Sequence, residues 1–217
     1  MSSISLSKTD SPKQQGLKKN IRIVIIGSRK ASTEALLEIS KISSAFSELN
    51  AMNLPFETVL ISGGADGVDI TAEKAFGKGR KHIILAYPSD KEDEEHIIYK
   101  PDQYASRLVD LLHPFPENIK KTDRPFLERD VLLIIGEKHS DGTRIPSDFV
   151  VAWTPEGRVQ GGTAMGIRTA RHRGIPVFNI AIQKELSALR GVYASLRDGI
   201  IPDFPAMSRD ITWRNRR

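Results

Sequence analysis

Ile21-Arg22-Ile23-Val24-Ile25-Ile26-Gly27-Ser28-Arg29 is a β-branched run, broken once by arginine, that ends in a glycine and two polar residues. Runs of this kind suit a strand buried on both faces of a parallel sheet. The glycine and the polar pair then read as a turn into a helix, predicted from about Ser32 to Asn50, with Ala35, Leu36, Ile39, Ile42, Phe46 and Leu49 as its apolar stripe. The pattern repeats downstream. Thr58–Ser62 is a second strand, Asp66–Gly77 a second helix and His82–Ala86 a third strand. Tyr87–Pro101 reads as a polar surface loop with an acidic run from Asp90 to Glu95, followed by a helix over Asp102–Leu112 that His113-Pro114-Phe115-Pro116 breaks. Thr122–Ile135 reads as helical with Pro125 near its start. Phe149–Trp153 is a fourth strand, Gly162–Arg173 a helix and Pro176–Asn179 a fifth strand. A last helix from about Ile182 leads into an irregular basic tail.

Strands that alternate with helices imply parallel pairing through right-handed crossovers. The expected fold is therefore α/β and Rossmann-like: a mostly parallel central sheet of about five strands with helices on both faces. Residues 21–199 form that domain, between a flexible basic arm (1–20) and a basic tail (200–217). The 217 residues suit a single domain, and 39% hydrophobic and 27% charged residues are ordinary for a globular protein. No apolar run approaches the roughly 20 residues of a membrane-spanning helix, and Met1–Asn20 has no apolar block of a secretory signal. The chain reads as cytoplasmic, with no membrane partner.

Without cysteine there is no thiolate chemistry and no disulfide, and the five scattered histidines have no zinc spacing. Neither a metal nor a cofactor is expected. The formal charge of +5 lies in the tails: residues 1–20 carry +3 and residues 200–217 carry +2, which leaves 21–199 neutral. A basic tail attracts phosphates, whereas the core is not basic.

The chemistry concentrates where strands end. Gly27-Ser28-Arg29, Gly63-Gly64-Ala65-Asp66-Gly67 and Gly161-Gly162-Thr163 each close a strand and open a helix. Ligands of open parallel sheets bind beyond the carboxyl ends of the strands. Glycine admits close backbone approach, and the amides of a helix start present donors and partial positive charge to an anion. Ser28 and Thr163 add hydroxyls, and Arg29 can clamp a phosphate bidentately. Three such loops along one sheet edge indicate a shared anion site.

Several residues admit two readings from sequence. Asp66 caps a helix or meets a ligand. Asp69 is a carboxylate near a positive helix end, or one that holds a ribose hydroxyl. Glu128-Arg129 forms surface pairs or points into the site. Arg168, Arg171, His172 and Arg173 read more as a solvated face than as a phosphate clamp.

The strings Ile25–Arg29, Ser62–Asp69 with Ala72, and Gly161–Thr163 resemble the SLOG superfamily, which includes DNA-processing protein A (Smf) and the Lonely Guy (LOG) phosphoribohydrolases. Pro146-Ser147-Asp148-Phe149-Val150-Val151-Ala152-Trp153-Thr154-Pro155 with the later Gly-Gly-Thr is similar to the phage- and prophage-encoded DNA recombination-mediator protein A-like group. The resemblance spans about residues 21–180. It implies a Rossmann-like fold with a nucleotide, nucleotide-derivative or nucleic-acid phosphate site at Gly27, Ser28, Arg29, Gly63, Gly64, Asp66, Asp69, Gly161, Gly162 and Thr163. It also implies pairing of copies, for which the helices after Asp102 and Ile182 are candidate faces.

Glu128-Arg129 resembles the Glu-Arg pair of the phosphoribohydrolases, in which the arginine is catalytic. In those enzymes the glycine loop runs Pro-Gly-Gly-x-Gly-Thr-x-x-Glu, and the glutamate assists N-glycosidic cleavage. Here Gly162-Thr163 is followed by Ala164, Met165, Gly166 and Ile167, with no carboxylate in that turn. General acid–base help contributes about 10²–10⁴-fold, so its loss favours binding over catalysis. The expected function is the sensing or sequestering of a nucleotide-type ligand. The alternatives are a single-stranded DNA-binding recombination accessory and a LOG-type nucleoside monophosphate hydrolase.

Overall fold

The computed structural model describes residues 18–88 and 95–212. The acidic run from Asp90 up to Glu94, most of the expected N-terminal arm and the last five residues lie outside them. Among the described residues the strands are β1 (Lys19–Gly27), β2 (Phe56–Ser62), β3 (Lys81–Leu85), β4 (His96–Ile98), β5 (Phe149–Trp153) and β6 (Val177–Asn179). The helices are α1 (Thr33–Glu48), α2 (Val68–Phe76), α3 (Gln103–Leu112), α4 (Arg124–Ile135), α5 (Ala164–His172), α6 (Gln183–Arg197) and α7 (Phe204–Thr212). The six strands form one parallel sheet in the order β4-β3-β2-β1-β5-β6.

The alternation of β1 explains its central place. Ile21, Ile23 and Ile25 pack on one face with Ile39 and Phe46 of α1, Val68 and Phe76 of α2, and Leu189, Val192 and Leu196 of α6. Val24 and Ile26 pack on the other with Leu108 and Val109 of α3, Val131–Ile135 of α4, and Met165, Ile167 and Ala170 of α5. All of these side chains are buried, so each β-branched position removes its surface from water on one side or the other. The ring of Phe149 lies among those of Phe46, Phe178 and Phe204, with centroids at 5.6, 5.9 and 5.1 Å.

On the first face, α1 grips α2 through serine hydroxyls. Ser43, Ser44 and Ser47 donate to the carbonyl oxygens of Ala72, Ala75 and Phe76 at 2.7, 3.0 and 2.6 Å. Ala75 and Phe76 close α2, where carbonyls lack an intrahelical donor. The caps follow the sequence elsewhere: Ser32 accepts from the Ala35 amide at the start of α1, and Asp102 accepts from the amides of Tyr104 and Ala105 at the start of α3.

Two elements depart from expectation. The segment read as a loop contains β4, an edge strand whose three half-buried residues pair with Ile83–Leu85. Three residues are too few to show a period of two. The chain after Phe204, read as an irregular tail, is the helix α7. Its Pro205 sits in the first turn, where the missing N–H is not needed, and its Phe204 is buried against Phe149. The expected arm is also shorter than read, because β1 begins at Lys19 opposite Phe56. Among the described residues no helix is long and apolar enough to cross a membrane.

Candidate functional site

The ends of β2, β1 and β5 lie side by side, and the chain leaves β1 and β5 towards opposite faces of the sheet, into α1 and α5. A crevice opens where neighbouring connections diverge in this way. Here it is a cavity of about 1020 Å³, at the top of the roughly 300–1,000 Å³ of small-molecule sites. Its walls are Ile26–Lys30 after β1, Ala65 and Asp69 at α2, the 113–119 segment after α3, the outward side of α4, and Thr154, Pro155 and 160–163 between β5 and α5.

The loop after β1 is anchored from both sides. The Ser28 amide donates to the Trp153 carbonyl at 3.2 Å, and the Gly27 amide donates to Asp69 Oδ1 at 3.2 Å. Arg29 is exposed, and its guanidinium carbon lies 5.6 Å from the centre of the Phe126 ring, a cation–π distance. Phe126 in turn meets Tyr87 edge-on at 5.3 Å. The loop before α5 is the opposite wall. Gly161 has φ +71°, Gly161 and Gly162 have open space around them, and no side chain caps the N-terminus of α5. The Ala164 amide donates to the Gly161 carbonyl at 3.2 Å, and the partial positive charge of the helix start falls on the amides that follow it.

At the closed end lies Arg129, only 5% exposed. Its Nη1 is 3.9 Å from Asp69 Oδ2, and its Nε is 3.1 Å from Asp130 Oδ1. Neither contact is aligned as a hydrogen bond, and both nitrogens are buried without an acceptor. Asp69 and Asp130 are themselves buried. Burial pushes the Asp69 carboxyl up to about 7 against the opposing pull of Arg129, and that of Asp130 up to about 6 against Arg129 and Arg29.

Gly27, Ser28, Arg29, Asp69, Arg129, Gly161, Gly162 and Thr163 thus line one cavity, although the sequence left Asp69 and Arg129 open between a structural and a ligand-facing place. Gly63, Gly64, Asp66 and Glu128 do not line it. Gly63 serves it from behind, because a Cβ there would sit 1.3 Å from Arg129 Nη1. The Gly64 amide donates to Glu73, which also accepts from Ser62, so this loop is held by a carboxylate rather than open to a ligand. Asp66 is exposed beside it. Glu128 accepts from Arg124 Nε at 2.9 Å and faces Tyr99, a structural pairing on another side of α4.

The basic patch of α5 divides. Arg168 reaches the cavity, whereas Arg173 donates to the Tyr104 hydroxyl at 3.1 Å. Sequence reasoning missed Lys30, the 113–119 wall, Phe126 and Asp130 as site residues. For Asp130 a signal existed: it follows Arg129 directly and precedes the all-apolar Val131–Ile135, and a helix apolar on every side buries its neighbouring charges too.

No family model and no curated protein matches the sequence. Among solved structures, DNA processing protein A from Helicobacter pylori aligns with 83% of this chain and 81% of its own, with a TM-score of 0.50 and 14% identity. The fold is that of DNA processing protein A. The structure of that Helicobacter pylori protein concerns a unique mode of single-stranded DNA binding. DNA processing protein A from Streptococcus pneumoniae aligns with 88% of this chain at 17% identity and a TM-score of 0.42, and the match spans 60% of that longer protein.

Proposed function

We propose that this protein binds nucleotides by their phosphates in the cavity at the C-terminal edge of its sheet. The observation that carries this reading is Arg129, whose buried Nε and Nη1 lack an acceptor while the side chain lines the cavity. A guanidinium this poorly satisfied by its neighbours retains a strong attraction for an oxyanion brought against the same side chain from the cavity. The amides at the start of α5 and the exposed Arg29 offer further phosphate contacts, and the Arg29–Phe126 pair offers a face for a base.

A second reading, in which the bound nucleotide belongs to single-stranded DNA, is supported by the shared fold and by the Helicobacter pylori protein's own ligand. The exposed Phe115, which lines the same cavity as Phe126, suits it, since strands stack bases on aromatic rings. The hydrolase reading finds less support, since Glu128 is turned away and no carboxylate follows the third glycine loop. The likeness of Pro146–Pro155 to the phage-type group rests mainly on residues that hold β5 in place. Asp148 accepts from the Arg22 amide, and Ser147 donates to the Leu133 carbonyl.

Titration calorimetry with thymidine 5′-monophosphate and with unphosphorylated (dT)₈ tests both readings. Saturable binding of at least one, weakened tenfold or more in Arg129→Gln, is expected. A preference for (dT)₈ that falls steeply with salt assigns the strand reading. Equal affinity of wild type and R129Q for both probes would overturn the assignment of the cavity.

A further inference from the structure

The closed end of the cavity holds a charge imbalance. One guanidinium, Arg129, is flanked by two carboxyls, Asp69 from α2 and Asp130 from α4, and none of the three residues is more than 8% exposed. With both carboxyls ionised the buried group carries one net negative charge, and a phosphate brought to Arg129 adds more. Glu73, further along α2, raises the negative potential at Asp69, whereas Arg29 offsets that at Asp130. In a poorly solvated pocket such like charges repel strongly. A proton on either carboxyl removes the imbalance and turns a charged acceptor into a neutral group with an O–H donor. Asp69 Oδ1 is already held by the Gly27 amide, which leaves Oδ2, on the arginine side, to carry the proton.

We propose that this site takes up its phosphate together with a proton, held by the Asp69–Asp130 pair, so that anion capture and carboxyl protonation are one coupled event. The inference rests on the nucleotide-phosphate reading above and adds to it the class of anion and the pH control. Phosphodiesters, which cannot bring a proton of their own, draw it from the solvent. The burial that pushes both carboxyls up towards neutrality puts the proton within reach under ordinary conditions.

The sign follows from linkage: if the complex holds more protons than the free protein, affinity rises as pH falls. The slope approaches about tenfold per pH unit for one proton, above the range in which the free carboxyls titrate, and flattens below about pH 6. The remaining charged groups on the walls are Lys30, His113, Asp123 and Arg168. Histidine ordinarily titrates in the same range, so His113→Gln is the necessary comparison.

The experiment is calorimetry on the full chain with unphosphorylated (dT)₈ and with sulfate, neither of which titrates between pH 5.5 and 8.5. It is run across that range in pairs of buffers with unlike ionisation enthalpies. Binding with uptake that approaches one proton towards pH 8.5 is expected, and the uptake per bound anion is the same in H113Q whatever that variant's affinity. Asp69→Asn, which keeps an acceptor for the Gly27 amide, and Asp130→Asn are expected to bind more tightly at pH 8, with lower uptake and a flatter pH profile. Binding with no proton uptake and equal affinity at pH 6 and pH 8 overturns the coupling alone. No binding of either probe at any pH overturns the nucleotide-phosphate reading, and the coupling with it.

Discussion

Gly63 contributes no atom to the cavity wall, yet the site depends on its lack of a side chain. A Cβ there would sit 1.3 Å from Arg129 Nη1 and 2.4 Å from its Cζ, and within 3.0 Å of Asp69 Oδ2. Because the clash falls on the far end of a flexible side chain, Gly63→Ala is expected to fold and to lose the guanidinium from its place. Hydrogen bonds to charged groups contribute about 1.5–3 kcal/mol, so (dT)₈ or nucleotide affinity should fall roughly 10- to 100-fold, with the melting temperature little changed. Titration beside thermal unfolding reads both, and unaltered affinity would show that Arg129 does not contact the ligand. At this scale the sequence was half legible. It read Gly63 as a ligand-loop glycine, whereas Gly63 lies off the cavity wall and leaves room for Arg129 of α4, and nothing local to the Ser62–Asp69 string announces that pairing. Glu128 and Arg129 are adjacent in sequence, and one helical step sends the first to Arg124 and the second into the cavity.

At the level of elements, α2 is short, and its last carbonyls are served by α1 as well as by the Gly77 and Gly79 amides. The Ser43 hydroxyl is fully buried on the Ala72 carbonyl, and a hydrogen bond of this kind contributes about 1 kcal/mol. Ser43→Ala is therefore expected to lower stability by about that amount, read as a shift in the urea midpoint at constant slope. An unmoved midpoint would mean that the contact is incidental. Since α2 carries Asp69, a loosened α1–α2 pair should also disturb the Gly27 loop. The elements were largely readable because β1, β2 and β5 are buried on both faces and the helices keep a period near 3.6. β4 was not readable, since a three-residue edge strand is defined by its pairing with β3 rather than by its own pattern. α7 was hidden by Pro202 and Pro205, which suggest irregular chain until one notices that a first-turn proline is compatible with a helix.

For the molecule as a whole, α7 completes the first hydrophobic layer. Phe204 is 4% exposed and its ring lies 5.1 Å from that of Phe149, at the start of the strand whose far end leads to the cavity. Phe204→Ala leaves a void in a close-packed cluster and should cost about 3–5 kcal/mol, measurable by urea unfolding. A change below 1 kcal/mol would show that the helix is dispensable to the core. The parallel α/β architecture, with helices on both faces, follows from the alternation of strands and helices. The cavity lies beyond two of the three glycine-rich turns, those after β1 and before α5, while the turn after β2 is closed by Glu73.

Among the described residues, one ladder joins the β4-β3-β2-β1 half of the sheet to β5-β6: the pairing of Ile23–Gly27 with Phe149–Trp153. The cavity straddles this seam, with Gly27 and Asp69 from the earlier part of the chain and Arg129 and Thr163 from the later part. An occupant is then a clasp as well as a cargo. Each molecule held across the seam resists the parting of the two halves, and a parted seam is a protein with no site at all. Occupancy and the integrity of the sheet therefore rise and fall together.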